Sequence, residues 1–161
     1  MSNQEYIAAR IALGIVNAYD IQDDINGLIN EGVYYSEFIK IIDSHPPTLI
    51  DVLSPYKNFL NRLNVSIPSP AKAILIIFDY HTKMIVDNDI DPLQGFENLS
   101  TAFEYIRHSS IKKNYCNELC LGPLMSIYDE LDYSPYSRFN ITMKTRIVKE
   151  AKIWRKKCLH E

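Results

Sequence analysis

Two of the three cysteines stand at a spacing that could hold a metal ion. Cys116 and Cys120 are four residues apart, which places both thiols on one face of a helix. A structural zinc site usually needs four ligands, and only His81 and His108 could complete the set. Neither histidine has a spacing typical of zinc motifs. We therefore predict no metal site, and the sequence assigns no role to the thiols, Cys158 included.

The other residue types that commonly perform catalysis form no motif in this chain. The four histidines, His45, His81, His108 and His160, lack the H-E-x-x-H spacing. No G-x-S-x-G sequence is present, and only five glycines are available to build a phosphate-binding loop. His81 follows Asp79-Tyr80, which favours a buried hydrogen bond over acid–base work. The sequence predicts a protein that is not an enzyme and binds no cofactor.

Acidic residues form three groups that could bind a basic protein. Acidic patches attract a basic partner and raise its association rate, and tyrosine, with eleven residues here, is a frequent interface anchor. The D-N-D-I-D run lacks the glycine and terminal glutamate of a calcium loop. Solvated loops and helix starts are the alternative explanation for acidic groups. The predicted partner-binding residues are Asp20, Asp23, Asp24, Asp87, Asp89, Asp91, Asp129, Glu130, Asp132, Tyr133 and Tyr136.

Charge is distributed unevenly along the chain. Residues 137–161 hold 8 Lys and Arg against 2 Asp and Glu, whereas residues 1–136 hold 9 against 18, which leaves +6 and −9. A row of basic residues lies in the predicted last helix: Lys144, Arg146, Lys149, Lys152, Arg155, Lys156 and Lys157. A last helix that docks on an acidic body and a helix that binds phosphates are both compatible with this row. The net charge of −3 and the lack of interleaved aromatic residues disfavour nucleic acid as a partner.

One apolar stretch, Ser69–Asp87, must hold the rest of the chain in place. Six apolar residues run from Ala73 to Phe78, and a helix that is apolar on nearly every side is a buried one. Ser69 can accept hydrogen bonds from the first turn, and Pro70 suits the first helical position. A buried strand is the alternative for such a run. Length and the start signal favour a central buried helix over about residues 69–87.

Helical patterns joined by short loops fill the remainder. We predict one helix from an Asn17 cap, with Asp20 in a capping box, to Gly32, and another from Asp91-Pro92 through Ile106. The other predicted helices are Asn3–Leu13, Tyr34–Asp43, Thr48–Leu53, Tyr56–Leu63, Ile111–Leu121, Leu124–Leu131 and Phe139–Leu159. A loop is predicted at Asp132–Tyr136. The predicted fold is all-α, with seven to nine helices packed as antiparallel pairs around the central helix. Stacking of the HEAT type is an alternative.

The bulk properties indicate one domain, residues 1–161, in a soluble protein of the cytoplasm. A chain of this length can bury a core without a disulfide or a metal. The polar opening does not resemble a signal peptide, and no apolar run approaches the roughly 20 residues of a membrane span. An odd number of cysteines disfavours a disulfide scaffold.

The opening sequence I-A-L-G-I-V-N-A-Y-D-I, Ile11–Ile21, resembles the start of a family of small bacterial immunity proteins. There an Ala-Leu-Gly-Leu turn precedes a capped helix with Asp at its third position. The Asn-, Ile-, Lys- and Tyr-rich composition is similar to that of immunity proteins of contact-dependent inhibition and other polymorphic-toxin systems. The match covers about the first thirty residues, and the chain has Asp23-Asp24-Ile25 where members continue with Trp-Ala-Asp.

This resemblance implies an all-α protein without catalysis that binds tightly to the toxin domain encoded beside it. Such toxins are often nucleases, and nucleases tend to be basic, which fits an acidic inhibitor. We therefore expect a monomeric immunity protein that forms a 1:1 complex with a basic nuclease, a ribonuclease being favoured, and covers its active site. The alternative is a helical scaffold or adaptor that binds a peptide or protein without neutralising a toxin.

Overall fold

The computed structural model describes residues 2–109, 117–133 and 141–159. Within these residues the secondary structure is helical, and no strand occurs. The helices are α1 (Asn3–Leu13), α2 (Ala18–Asn30), α3 (Ser36–Ile42), α4 (Leu49–Arg62), α5 (Pro70–Val86), α6 (Pro92–Glu97), α7 (Ser100–His108), α8 (Gly122–Tyr133) and α9 (Ile141–Cys158). The predicted all-α fold with seven to nine helices is confirmed.

The chain comprises two compact units, one up to Ala73 and one from Ile74 onward, and the boundary falls inside α5. In the first unit α1 contacts α2, and α2, α3 and α4 contact one another. In the second unit α6 and α8 contact α9, and α7 contacts α8. The core of the first unit consists of Ile7, Ala8, Val16, Ala18, Ile21, Ile25, Phe38, Ile41, Val52, Tyr56, Phe59 and Leu60. A single domain over residues 1–161 stays a prediction.

Local capping fixes the first two helices as predicted. Asn17 caps α2, and its side chain accepts from the Asp20 amide at 2.9 Å while Asp20 accepts from the Asn17 amide at 2.8 Å. Gly14 ends α1 with a φ of +67°, a left-handed conformation that costs glycine least. Because these signals act within four residues, they are readable from sequence.

The predicted division into two helices, Thr48–Leu53 and Tyr56–Leu63, is wrong, since α4 runs without a break from Leu49 to Arg62 with Pro55 inside it. A proline within a helix removes one backbone hydrogen bond and crowds the preceding turn, at a cost of about 3 kcal/mol. The helix continues because its buried face lies on both sides of the proline: Val52 precedes it and Phe59 follows. Burial of those side chains offsets the local cost. Thr48, predicted as helical, is the N-cap.

The predicted central helix is present as α5, and the strand alternative is wrong. It begins at Pro70, and the Ser69 hydroxyl accepts from the Lys72 amide at 3.4 Å. No residue from Ala73 to Thr82 is exposed. In the second unit the Phe78 ring lies 5.0 Å from that of Phe103 and 5.9 Å from that of Trp154. Packing of antiparallel pairs around α5, and the HEAT-type alternative, stay predictions.

The helix predicted from Asp91-Pro92 through Ile106 is divided in the structure. The Asp91 carboxylate accepts from the amides of Leu93 and Gln94, so the predicted start is confirmed. The helix then stops at Glu97, and α7 begins at Ser100. The turn between them keeps Leu99 fully buried, and Phe96 and Phe103 on either side are buried as well. A sequence pattern cannot separate this arrangement from one continuous apolar face.

The later boundaries differ from prediction in two places. Helix α8 begins at Gly122 and continues to Tyr133, so Asp132 and Tyr133 are helical where a loop was predicted. The final helix, Ile141–Cys158, lies within the predicted Phe139–Leu159. Most of the predicted helix 111–121, together with residues 134–140, lies outside the described residues.

Gly95 in α6 is tightly packed, and we expect Gly95→Ala to destabilise the protein by about 2 kcal/mol. An added Cβ would lie 2.5 Å from Ile85 Cγ1 and 2.9 Å from Ile90 Cγ2. Gly27→Ala is the matched control, because nothing lies within 4 Å of the added Cβ in α2. That change should stabilise by about 0.5–1 kcal/mol. Urea denaturation measures both, and equal stability of the two variants would contradict the packing at Gly95.

Candidate partner-binding site

The α1–α2 cavity brings together the first group of predicted contact residues. Its volume is about 510 Å³. Asp20, Asp23 and Asp24 line it together with Glu31 and Arg10, which the sequence analysis did not single out. The remaining lining residues are Asn3, Gln4, Tyr6, Ile7, Gly27 and Leu28. Four carboxylates against one guanidinium leave this cavity acidic, so it suits a cationic group of a partner.

Asp24 is a buried carboxylate, 7% exposed, held by neutral donors. The Tyr56 hydroxyl donates to Oδ2 at 2.6 Å, and the Asn3 and Gln4 amides donate to Oδ1 at 2.5 and 3.0 Å. Burial, with the Asp24 charge second, raises the pKa of Tyr56 far above its ordinary value, so the phenol remains a donor. Asp24 is therefore fixed in place rather than displayed on the surface, and its role in partner binding stays a prediction.

Asp24 could have been placed on the core side of α2 from sequence. It lies three residues after Ile21 and four before Leu28, a spacing that puts these side chains on one helix face. Glu31 follows Asp24 by seven residues and so belongs to the same side. The acidic composition of the stretch indicates a charged surface, whereas the helical spacing indicates which of its side chains is buried.

The other carboxylates of the cavity differ in their partners. Asp20 accepts from the Asn17 amide in the capping box described above and also pairs with Arg10 at 2.9 Å. Asp23 and Glu31 are exposed, and no ion pair within the described ranges engages either one. These two side chains are consequently the charges at this cavity that a partner can use without breaking an internal contact.

The acidic residues of α8 form ion pairs with arginines. The Arg107 guanidinium pairs with Asp129 at 2.7 Å, Glu104 at 2.9 Å and Asp132 at 3.1 Å, and lies 4.8 Å over the Tyr128 ring. Hydrogen bonding to Asp129 is the main cause that raises the pKa of Arg107, while burial raises the pKa of Tyr128 to about 12.

Glu130, the third acidic residue of this group, pairs with Arg146 at 2.5 Å. Tyr133 is 87% exposed and keeps the properties of an interface anchor. Tyr136 lies outside the described residues. The α8 carboxylates therefore stabilise the second unit, and a partner would have to compete with their internal pairs.

The loop between α5 and α6 shows the same internal pairing. Asp87 pairs with Lys83, and Asp91 with Lys144. Hydrogen bonds from these lysines lower the pKa of each carboxyl below its usual range. Only Asp89 of the three is exposed with no ion pair to a described residue. We find no group of three potential metal ligands in the described residues, at this loop or elsewhere.

Helix α9 supplies basic partners to the acidic residues of its own unit. Lys144, Arg146 and Arg155 pair with Asp91, Glu130 and Asp79, in agreement with a basic last helix that docks on acidic residues. Lys149, Lys152, Lys156 and Lys157 remain exposed on the same helix.

None of the described helices is both long and apolar enough to cross a membrane. Comparisons of this chain with protein-family models, curated proteins and solved structures gave no match.

Proposed function

We propose that this chain is an immunity protein that binds and neutralises a cognate toxin domain. The protein acts in the cytoplasm as a monomer, forms a 1:1 complex with a basic nuclease, a ribonuclease being favoured, and covers the active site of that enzyme. The opening motif Ile11–Ile21 and the acidic balance of residues 1–136 support this proposal. The observation that carries it is the α1–α2 cavity, where Asp23 and Glu31 remain available beside the fixed Asp24 carboxylate.

A lysine or arginine side chain of the toxin fits the chemistry of the α1–α2 cavity. A carboxylate has about four acceptor positions, and the donors Asn3, Gln4 and Tyr56 occupy three of those of Asp24. Oδ2 therefore retains capacity for a cationic donor. Because Tyr56, Asn3 and Gln4 already hold the carboxylate, binding costs little side-chain entropy there. Asp23 and Glu31 at the exposed edge increase the association rate of a basic partner.

The function is tested by co-expression with the C-terminal domain encoded directly upstream. Growth rescue together with co-purification in a 1:1 ratio is the expected result. A domain that is not toxic, or that is toxic but neither rescued nor bound, would remove the immunity proposal. The substrate cleaved in unprotected cells identifies the toxin chemistry and shows whether it is a ribonuclease.

Charge reversal at the cavity should weaken the complex. We expect Asp23→Lys and Glu31→Lys each to lower affinity for the toxin domain about tenfold, mainly through slower association that depends less on salt. Asp43→Lys is the matched control, because Asp43 is exposed in the same unit and does not line the cavity. Association kinetics at two salt concentrations measure the effect. Equal affinity for the Asp23 and Asp43 variants would exclude the α1–α2 cavity as the contact.

Exposed apolar side chains in the first unit support the alternative of a scaffold or adaptor. Ile39 on α3 is 63% exposed, Ile50 on α4 is 88% exposed and Tyr34 before α3 is 71% exposed. A peptide-binding surface uses such side chains. Under this alternative Ile39→Ser and Ile50→Ser would abolish capture of a peptide, whereas the Asp23→Lys variant would bind normally.

A further inference from the structure

Two of the three cysteines of the second unit, Cys120 and Cys158, form a pair that the functional proposal does not use. Cys120 follows the turn at Leu119, and Cys158 is the last residue of α9. The Cys158 thiol donates to the Leu119 carbonyl at 3.1 Å, and the nearby Cys120 side chain contributes to the raised pKa of Cys158. Since that carbonyl carbon is bonded to the Cys120 nitrogen, the Cys158 sulfur lies directly beside the Cys120 backbone.

Neighbouring groups hold this pair in position. The Trp154 indole donates to the same Leu119 carbonyl at 2.8 Å and fixes the turn against α9. Cys120 has a φ of +53°, a left-handed conformation that costs a residue with a side chain. Both thiols are reduced and partly buried in this structure. The contact of the Cys158 sulfur with the carbonyl that precedes Cys120 brings the two residues into the range in which a disulfide can form.

The two cysteines differ in their surroundings, because only Cys120 borders a cavity of the second unit among the described residues. Cys120 lines a cavity of about 260 Å³ together with Trp154 and Lys157. Cys158 is not among the residues that line it. Burial, and secondarily the hydrogen bond with Cys120, raises the pKa of Cys158 to about 11, so this sulfur is a thiol at neutral pH. Cys120 is therefore the position of first attack and Cys158 the resolving thiol.

We infer that Cys120 and Cys158 are a modification site that closes to a reversible intrachain disulfide, with a low-molecular-weight disulfide as the oxidant. The Cys120 thiolate attacks one sulfur of oxidised glutathione, and one glutathione thiolate leaves. Cys158 then loses its proton to solvent and attacks the Cys120 sulfur of the mixed disulfide, which releases the second glutathione. Two protein thiols are oxidised to one disulfide, and one glutathione disulfide is reduced to two thiols.

The test uses Cys116→Ser as the reference protein, so that only this pair can react. After incubation with oxidised glutathione, the intact mass should fall by two hydrogen atoms with no glutathione retained. Proteolytic mapping should give one peptide pair joined through Cys120 and Cys158, and dithiothreitol should restore both thiols. The protein with the intrachain disulfide should have a Tm about 5 °C higher than the reduced protein, because the disulfide constrains the unfolded chain.

Single replacements separate the two roles. In the reference background Cys158→Ser should retain one stable glutathione on Cys120, since no thiol is left to resolve it. Cys120→Ser should acquire glutathione more slowly than Cys158→Ser does. A reference protein that keeps glutathione on Cys120, or whose two thiols still react with iodoacetamide after oxidation, would overturn the inference. If a replacement prevents folding, mapping of the oxidised native chain decides between the same outcomes. No toxin enters these measurements, so the result is independent of the immunity proposal.

Discussion

Asp79→Ala should destabilise the protein by about 3 kcal/mol, because it removes the carboxylate that pairs with the buried Arg155 guanidinium. Arg155 on α9 is 7% exposed and donates to Asp79 Oδ1 at 2.5 Å and to the Asp79 carbonyl at 2.9 Å. Removing one member of a buried ion pair leaves a charge that the surrounding protein solvates poorly. The Asp79 side chain is 30% exposed, so water compensates in part and the loss stays near the lower end of such effects.

The single tryptophan provides the measurement. Trp154 precedes Arg155 and is buried, so its fluorescence follows unfolding around this pair. Asp87→Ala is the matched control, because Asp87 also pairs with a cation, Lys83, but on the surface. An exposed pair contributes little, so this variant should unfold at the urea concentration of the native protein. Similar midpoints for Asp79→Ala and Asp87→Ala would show that the Arg155 pair does not stabilise the fold.

Pairing Asp79→Ala with Arg155→Met tests the cause of the loss. Replacement of a whole buried ion pair by apolar groups is often nearly neutral, whereas loss of one partner is not. The double variant should therefore be more stable than Asp79→Ala alone. If the two losses simply add, the effect comes from lost packing and not from an uncompensated charge.

Helix starts could be predicted from sequence because their determinants are local. Asn17 with Asp20, and Asp91 with Pro92, act within one turn, and the structure places helix starts at both. The failures at Pro55 and Leu99 have the opposite origin. Whether a helix crosses a proline or divides at a buried leucine depends on which distant side chains cover it, and spacing along the chain does not encode that choice.

The candidate site could be predicted as a set of acidic residues but not as a set of free charges. Arg107 engages Asp129 and Asp132, which are more than twenty positions away in sequence. Arg146 likewise engages Glu130. From composition alone these carboxylates would be available to a partner, whereas in the folded chain they form ion pairs with arginines. Asp23 and Glu31 differ because both side chains are exposed and no ion pair among the described residues engages them, and the absence of such a partner is visible only once the helices are packed.

Asp24→Ala should cost about 3 kcal/mol, although its neighbour Asp23→Ala should cost little. Asp24 accepts hydrogen bonds from Tyr56, Asn3 and Gln4 within a largely buried site. Hydrogen bonds to a charged group contribute about 1.5–3 kcal/mol each, and the desolvation penalty of the buried Asp24 charge offsets part of their sum. Asp23 is exposed one position earlier on the same helix, so helix propensity and net charge are matched. Urea denaturation followed by circular dichroism measures both variants.

Tyr56→Phe completes a cycle that separates the hydrogen bond from the cavity left by truncation. Alone it should cost about 2 kcal/mol, since the buried carboxylate loses the donor at 2.6 Å. In the Asp24→Ala background the same change should cost much less, because the hydroxyl no longer has an acceptor to lose. Equal costs in both backgrounds would mean that Tyr56 stabilises the first unit through its ring alone. A coupled result also explains how the α1–α2 cavity keeps a carboxylate fixed for a cationic partner: the phenol stabilises the charge that the partner would bind.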